Sequence, residues 1–242
     1  MKSYEAKTYG DRIADVYDGL YSGLDTDGAV GTLAELAGGG PVLELGIGTG
    51  RLALPLAERG LEVHGVDASE AMVQKLREKP GGDSIRVTMG DFADIDFDSR
   101  FSLIFIAFNT FFGLLTQEDQ LRCLTNAAAH LADGGVFVVE AFVPDLARFD
   151  RGQRVNVNFV EADRVMIDAS RHDPVEQRVD SSHVVITESG TRLYPVSIRY
   201  AFPAELDLMA RLAGLELSDR WGGWRRQPFD AESPRHVSVY GR

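Results

Sequence analysis

The stretch Pro41 to Arg51, PVLELGIGTGR, constrains this chain more than any other. Val42–Leu45 reads as a short apolar strand, Gly46–Gly50 as a glycine-rich turn, and Leu52–Arg59 as a helix stopped by Gly60. Glycines at 46, 48 and 50 let the backbone take left-handed conformations and approach a ligand with no Cβ in the way. The helix beyond presents free N–H groups at its start. A strand, a tight turn and a helix in that order open a doubly wound α/β sheet.

The alternation continues downstream. Leu61–Val66 is the second strand and ends in Asp67; Ser69 caps a helix over 70–79, closed by Pro80-Gly81-Gly82. Ile85–Met89 is a third strand. Phe101–Phe108, FSLIFIAF, is apolar almost throughout, as a strand buried on both faces requires. A helix over Gln117–Leu131, a turn at Asp133-Gly134-Gly135 and a strand over Val136–Phe142 follow. Upstream, residues 1–37 read as helical, with Ile13, Val16, Tyr17 and Leu20 on one stripe and a second helix over 27–37. After Phe142 the alternation fails. VNVNFV, RVMIDAS, HVVITE and LYPVSIRYA, with a hairpin signal at Ser189-Gly190, predict about four antiparallel strands. A helix over 203–213 and strands at Leu215–Arg220 and His236–Tyr240 finish the chain. The expected organisation is N-terminal helices over 1–37, an α/β core over 38–150 and 201–242, and an antiparallel insert over 151–200.

The 242 residues hold 25 Lys and Arg against 37 Asp and Glu, a net charge of −12. Phosphate backbones repel such a chain unless its cations cluster. One short basic stretch, Arg220 to Arg226, lies between Asp219 and Asp230. A small-molecule partner is therefore expected, and no nucleic acid. No apolar run approaches the ~20 residues of a membrane helix, and the N-terminus lacks the layout of a secretory signal. The lone Cys123 excludes an internal disulfide and a cysteine-rich zinc site. A cytoplasmic protein with no metal is expected.

The glycine turn carries neither common phosphate signature. The nicotinamide fingerprint wants glycine at 51, where this chain has Arg51, and the P-loop Gly-Lys-Ser/Thr is absent. Asp67, 17 residues after Gly50, falls where a second strand reaches the same crevice and can accept both hydroxyls of a ribose. Gly90-Asp91-Phe92, after the third strand, offers an acid and a ring to the amino edge and face of an adenine. Taken singly, the turn would suit any α/β sheet and Asp67 would suit a helix cap beside Ser69. Taken with Asp91, the two describe a nucleoside site without a pyrophosphate clamp.

E-x-G-x-G-x-G, then GVDAS, then MGDF, then a DGG turn before VFVVE resemble the class I S-adenosylmethionine-dependent methyltransferases over residues 38–143 and 201–242. The resemblance implies a Rossmann-like doubly wound sheet and S-adenosylmethionine as cofactor, with S-adenosylhomocysteine as product. It places Gly46, Gly48 and Gly50 at the methionine part, Asp67 at the ribose, Asp91 at the adenine and Phe92 beside its ring. Glu44 would sit below the turn, Ala68 and Met72 would pack on the adenosine, and Phe108 would close the crevice at the end of the fourth strand.

Tyr9 to Tyr21 resembles the N-terminal lid helix of small-molecule N- and O-methyltransferases, in which a tyrosine closes over the sulfonium; Tyr17 matches it best. Tyr17 and Tyr21, four apart, would also suit core-facing aromatics, and the functional expectation rests on Tyr17 rather than Tyr21. Phe111 and Phe112 are expected to line the acceptor pocket. Asn109-Thr110-Phe111-Phe112 lacks the prolines and tyrosine of the DNA amino-methyltransferase motif. The insert resembles that of antibiotic-pathway amino-sugar N-methyltransferases of the desosamine and mycaminose type. The Tyr9/Tyr17 pair resembles that of lincosamide N-methyltransferases of the celesticetin type. Phe112-Gly113-Leu114 leaves no histidine base after the fourth strand. Tyr9, Tyr17 and Phe112 are then expected to act by aligning an already neutral amine. The expected reaction is N-methylation of a bulky small molecule in natural-product biosynthesis. The alternatives are O-methylation, a nicotinamide oxidoreductase and a noncatalytic nucleoside-binding protein. The insert is also expected to join copies into a homo-oligomer.

Overall fold

In the computed structural model, which describes Met1 and residues 4–242, seven strands form one sheet. They are β1 (Val42–Leu45), β2 (Val63–Asp67), β3 (Arg86–Met89), β4 (Phe101–Ile106), β5 (Leu131–Phe142), and, from the end of the chain, β10 (Glu216–Trp221) and β11 (Arg235–Gly241). Their order is β10-β11-β5-β4-β1-β2-β3. The five strands from β3 to β5 run parallel, while β11 lies antiparallel to β5 and to β10. The chain reverses its direction of winding between β1 and β4, where a crevice opens at the carboxyl ends of the strands.

Period-2 alternation splits the core into two layers. Val42, Leu103, Phe105 and Val138 pack toward α2 (Thr26–Ala37) and α3 (Ala53–Glu58). Leu43, Leu45, Ile104, Ile106 and Val139 pack toward α5 (Gln117–His130) and α6 (Pro203–Leu212). Both faces are apolar, which explains the unbroken FSLIFI of β4. The strand stops at Ile106, two residues short of the sequence expectation, because Phe108 and Asn109 turn left-handed at φ 52° and 66°.

The insert forms a separate sheet in the order β6-β7-β8-β9, built from Gln153–Val160, Arg164–Asp173, Arg178–Thr187 and Gly190–Arg199. Every neighbour in it is antiparallel. The N-terminal helix α1 (Thr8–Leu20) packs against both α4 (Glu70–Arg77) and β9. It thereby spans the crevice and the insert.

Candidate active site

The glycine turn adopts the conformation its composition anticipates. Gly46, Gly48 and Gly50 have φ of 81°, 55° and 78°. The N–H groups of Gly46 and Ile47 donate to the carbonyl of Val66, tying the turn to β2. At the end of β2, Asp67 accepts from the Gly48 N–H at 2.7 Å and from the Ser69 N–H at 2.8 Å. The donors occupy different carboxylate oxygens, so each oxygen keeps a free lone pair for a hydroxyl. Burial raises Asp67 above the ordinary carboxylate range, against the pull of the same two N–H donors. Ser69 caps α4 by accepting from the Met72 N–H, and Met72 lies buried beneath Gly48. Ala68 is half-buried between them. Asp91 is exposed after β3, its Oδ1 accepting from the Ala93 N–H at 2.9 Å, and Phe92 packs on the core beside it.

Below the turn, Glu44 is buried with Oε2 unpartnered. Burial pushes its carboxyl up to about 8; Arg51 lowers it and Asp67 raises it further. A buried acid with a free oxygen under a backbone cradle fits the cationic methionine end of S-adenosylmethionine. Arg51, where a nicotinamide site would have glycine, bonds Thr26 at 3.3 Å and lies 5.9 Å from the Phe108 ring.

Helix α1 is latched over this crevice by three acids on one face. Asp11 accepts from Ser69 Oγ at 2.7 Å, Asp15 pairs with Lys75 at 3.1 Å, and Asp18 pairs with Lys79 at 2.6 Å and accepts from Thr49 Oγ1. Gly10 permits the approach, since a Cβ there would stand 2.6 Å from that of Ser69. The latch was legible only as an i, i+4, i+7 acidic spacing opposite the apolar stripe.

Tyr21, just past the end of α1, is the centre of an aromatic cluster with Tyr9, Tyr17 and Phe108. Its hydroxyl bonds that of Tyr9 at 2.8 Å, and its ring lies 4.8 Å from both the Tyr17 and the Phe108 rings. Burial raises the Tyr9 and Tyr17 phenols far above their usual range. Neither supplies a phenolate near neutral pH.

The structure corrects the expectation for Phe111 and Phe112. Both are fully buried in the core rather than lining the pocket, because the short helical turn over Thr110–Gly113 points them inward. Phe112 bears on the pocket only through Phe142, whose ring lies 4.9 Å away. Two residues the sequence reading missed hold this loop. The Glu140 carboxylate accepts from the Phe108 N–H at 2.8 Å, and Asn109 Oδ1 accepts from the Phe142 N–H at 2.7 Å. They fix the two left-handed residues that aim Phe108 at the crevice.

Phe142 opens onto a cavity of about 150 Å³ between the core and the insert, lined also by Phe149, Arg154, Asp168, His183 and Tyr200. Among the described residues no group is arranged to hold a metal, and no helix is long and apolar enough to cross a membrane.

Comparison with known proteins follows this geometry. A methyltransferase-domain family model matches residues 42–135, from β1 through the glycine turn to the DGG turn. The cypemycin N-terminal methyltransferase of a Streptomyces species is 31% identical over 98% of this chain and 99% of its own. The chain belongs to the class I S-adenosylmethionine-dependent methyltransferases. The solved structure of the CcbJ methyltransferase from Streptomyces caelestis is 46% identical, with a TM-score of 0.91 over 98% of each chain. The S-adenosylmethionine-bound structure of CalS10, an amino pentose methyltransferase from Micromonospora echinaspora, has a TM-score of 0.69 at 24% identity, over 93% of this chain and 95% of that one; it shares the fold. This methyltransferase uses S-adenosylmethionine, and an oxidoreductase or a noncatalytic scaffold is set aside.

Proposed function

We propose that this methyltransferase methylates an amine nitrogen of a bulky natural product. The observation that carries the reading is the cavity beneath the insert, lined by Phe142, Asp168 and His183, with the Tyr9 ring of α1 6.4 Å from that of His183. The N-terminal amine named for the cypemycin enzyme supports nitrogen over oxygen. S-adenosylmethionine supplies a methyl group made electrophilic by its sulfonium. The chain's part is to hold and align: the turn and Asp67 for the nucleoside, Glu44 for the methionine end, Asp91 and Phe92 for the adenine, Tyr9, Tyr17 and Tyr21 for the acceptor side. Incubation with 13C-methyl cofactor and matched pairs of aminodeoxy sugars and sugars, and of free and acetylated peptides, tests it. Label on nitrogen supports the reading; label confined to oxygen overturns it in favour of O-methylation.

Tyr17→Ala is expected to lower turnover at least ~tenfold while changing S-adenosylhomocysteine affinity little, since an aligning group acts on the transition state more than on cofactor binding. The Tyr17 hydroxyl makes no hydrogen bond among the described residues, whereas its ring packs on Tyr21. Tyr17→Phe should therefore keep most activity. Turnover and melting measured on the same samples decide it, and a stable, fully active Tyr17→Ala enzyme removes the lid role.

The same reading makes the enzyme a cytoplasmic homo-oligomer. The outer face of the insert carries Val155, Val157, Val160, Ile186 and Leu193, each 44–70% exposed. Contiguous apolar surface of this kind is usually covered, and a second copy is the proposed cover. Val157→Lys should reduce the mass seen by light scattering to that of a monomer; a monomeric wild type refutes the assignment.

A further inference from the structure

The inward face of the insert sets a polar row among apolar side chains that include Val179, Val196 and Ile198. Across β6, β7 and β8, a continuous row runs from Arg154 through Asn156 and Asn158 to Asp168 and His183. Asp168 and His183 stand directly opposite each other in register, and His183 Nδ1 bonds Asp168 Oδ1. Asn158 Nδ2 donates to the other carboxylate oxygen at 3.0 Å. Both Asp168 oxygens are thus engaged, and the imidazole is held in one orientation with Nε2 free of hydrogen bonds among the described residues. His183 lines the cavity opposite Phe142. Its ring also lies 6.4 Å from that of Tyr9, the first member of the row Tyr9–Tyr21–Phe108 that leads to the crevice.

We propose that His183, oriented by Asp168, is the base that deprotonates the acceptor's ammonium. This rests on the N-methylation reading and deepens it, replacing an amine that arrives neutral with one made neutral in place. A free α-amine has a pKa near ~7.7–8.0 and an alkyl amine higher, so most of either is protonated near neutral pH and must lose a proton before it can attack. The proton moves from nitrogen to His183 Nε2. The freed lone pair forms the N–C bond as the C–S bond of the cofactor breaks, its electrons staying on sulfur. His183 returns its proton to solvent, and the product leaves as the methylated ammonium. Asp168 is the positioning residue. A hydrogen bond and charge from His183 hold it below the usual carboxylate range, against the burial that would raise it. The other groups facing the imidazole are Arg154 from β6, Tyr194 across on β9, Tyr9 from α1, and Asp145 and Arg148 from the loop after β5. Arg154 and Arg148 offset the two acids, so no single charge dominates the site.

The rival role for the pair is to clasp β7 to β8, and the test separates the two. The probe is tetra-alanine amide. In enzyme bound to S-adenosylhomocysteine at pH 7.5, the probe should shift the His183 13Cε1 resonance, identified by its absence in His183→Asn. The Asn variant keeps a donor toward Asp168. The acid limb of kcat/KM should move upward in His183→Asn, to the amine's own ~7.7–8.0. At pH 6.5 the variant should be at least ~tenfold slower, and the two profiles should converge above pH 9. Asp168→Asn should shift the limb the same way, and it decides the matter if His183→Asn does not fold. Wild type that methylates the probe while both variants keep the wild-type profile overturns the base and leaves N-methylation standing. A stationary His183 resonance overturns the base even where the probe is not turned over. Methylation of hydroxyl acceptors alone overturns both readings.

Discussion

Gly48→Val is expected to weaken S-adenosylhomocysteine binding at least ~100-fold, about 2.7 kcal/mol, and to lower the melting temperature as well. Gly48 sits at φ 55°, a region that a β-branched residue enters only with strain of about 1–3 kcal/mol. Its N–H is one of two donors to Asp67, at 2.7 Å. If the valine relaxes toward negative φ, that N–H turns away from the Asp67 carboxylate, which loses one of its two orienting donors. If it does not relax, the side chain fills the cradle and crowds Met72, whose Cε would lie 3.3 Å from the new Cβ. Either route removes the site. Alanine places the same Cβ without the branch and should fall between. Calorimetry on folded variants is the check. Binding within threefold of wild type would mean that the turn does not form the cofactor cradle.

The turn was legible because three glycines in five residues admit few structural explanations, and the left-handed φ values at 46, 48 and 50 are the expected one. Asp67 was legible because β1 and β2 are neighbours in a doubly wound sheet, so their carboxyl ends meet. What sequence could not give was the third dimension of the insert. Its strands are plain in the period-2 runs, but those runs do not say which face turns inward, and the structure puts Val155 and Val157 on the outer face. Arg154, Asn156, Asp168 and His183 line the cavity on the inner face together with Val179, Val196, Ile198 and Tyr200. The loop after β4 was searched for a histidine base and held none; His183 reaches the cavity from a strand some 70 residues later. Phe111 and Phe112 misled for a related reason. Large rings on a short loop suggest a pocket, yet two consecutive left-handed residues, held by Glu140 and Asn109, reverse the chain and send both rings into the core. That reversal depends on contacts with β5, some 30 residues away in sequence.

Glu44→Gln should abolish a large pH dependence of stability. The folded carboxyl titrates at about 8, while the unfolded chain holds it near the ordinary 4.5. Between those values the folded protein keeps a proton that the unfolded chain has lost, so stability is fully present below pH 4.5, falls as pH rises, and levels off above pH 8. Burial is the chief cause, and the loss is on the order of 5 kcal/mol at ~1.36 kcal/mol per unit. Glutamine carries no proton to lose. The variant and wild type should melt alike near pH 4.5, and the variant should melt higher at pH 8.5, by on the order of 10 °C for a chain of this size. Parallel melting curves across that range would show that Glu44 is ionised in the free protein. On the proposed placement of the methionine end beside Glu44, the cofactor reverses the preference: it brings a cation to an unpartnered oxygen, which favours the ionised form. Binding of S-adenosylhomocysteine near pH 7 should therefore release close to one proton. Calorimetry in buffers of different ionisation enthalpy reads this directly. Glu44→Gln should release none and bind more weakly, despite being the more stable protein at that pH. A residue that lowers the stability of the free fold and strengthens the complex is one whose placement follows the ligand, and that pairing of opposite effects distinguishes Glu44 from a core position that happens to be acidic.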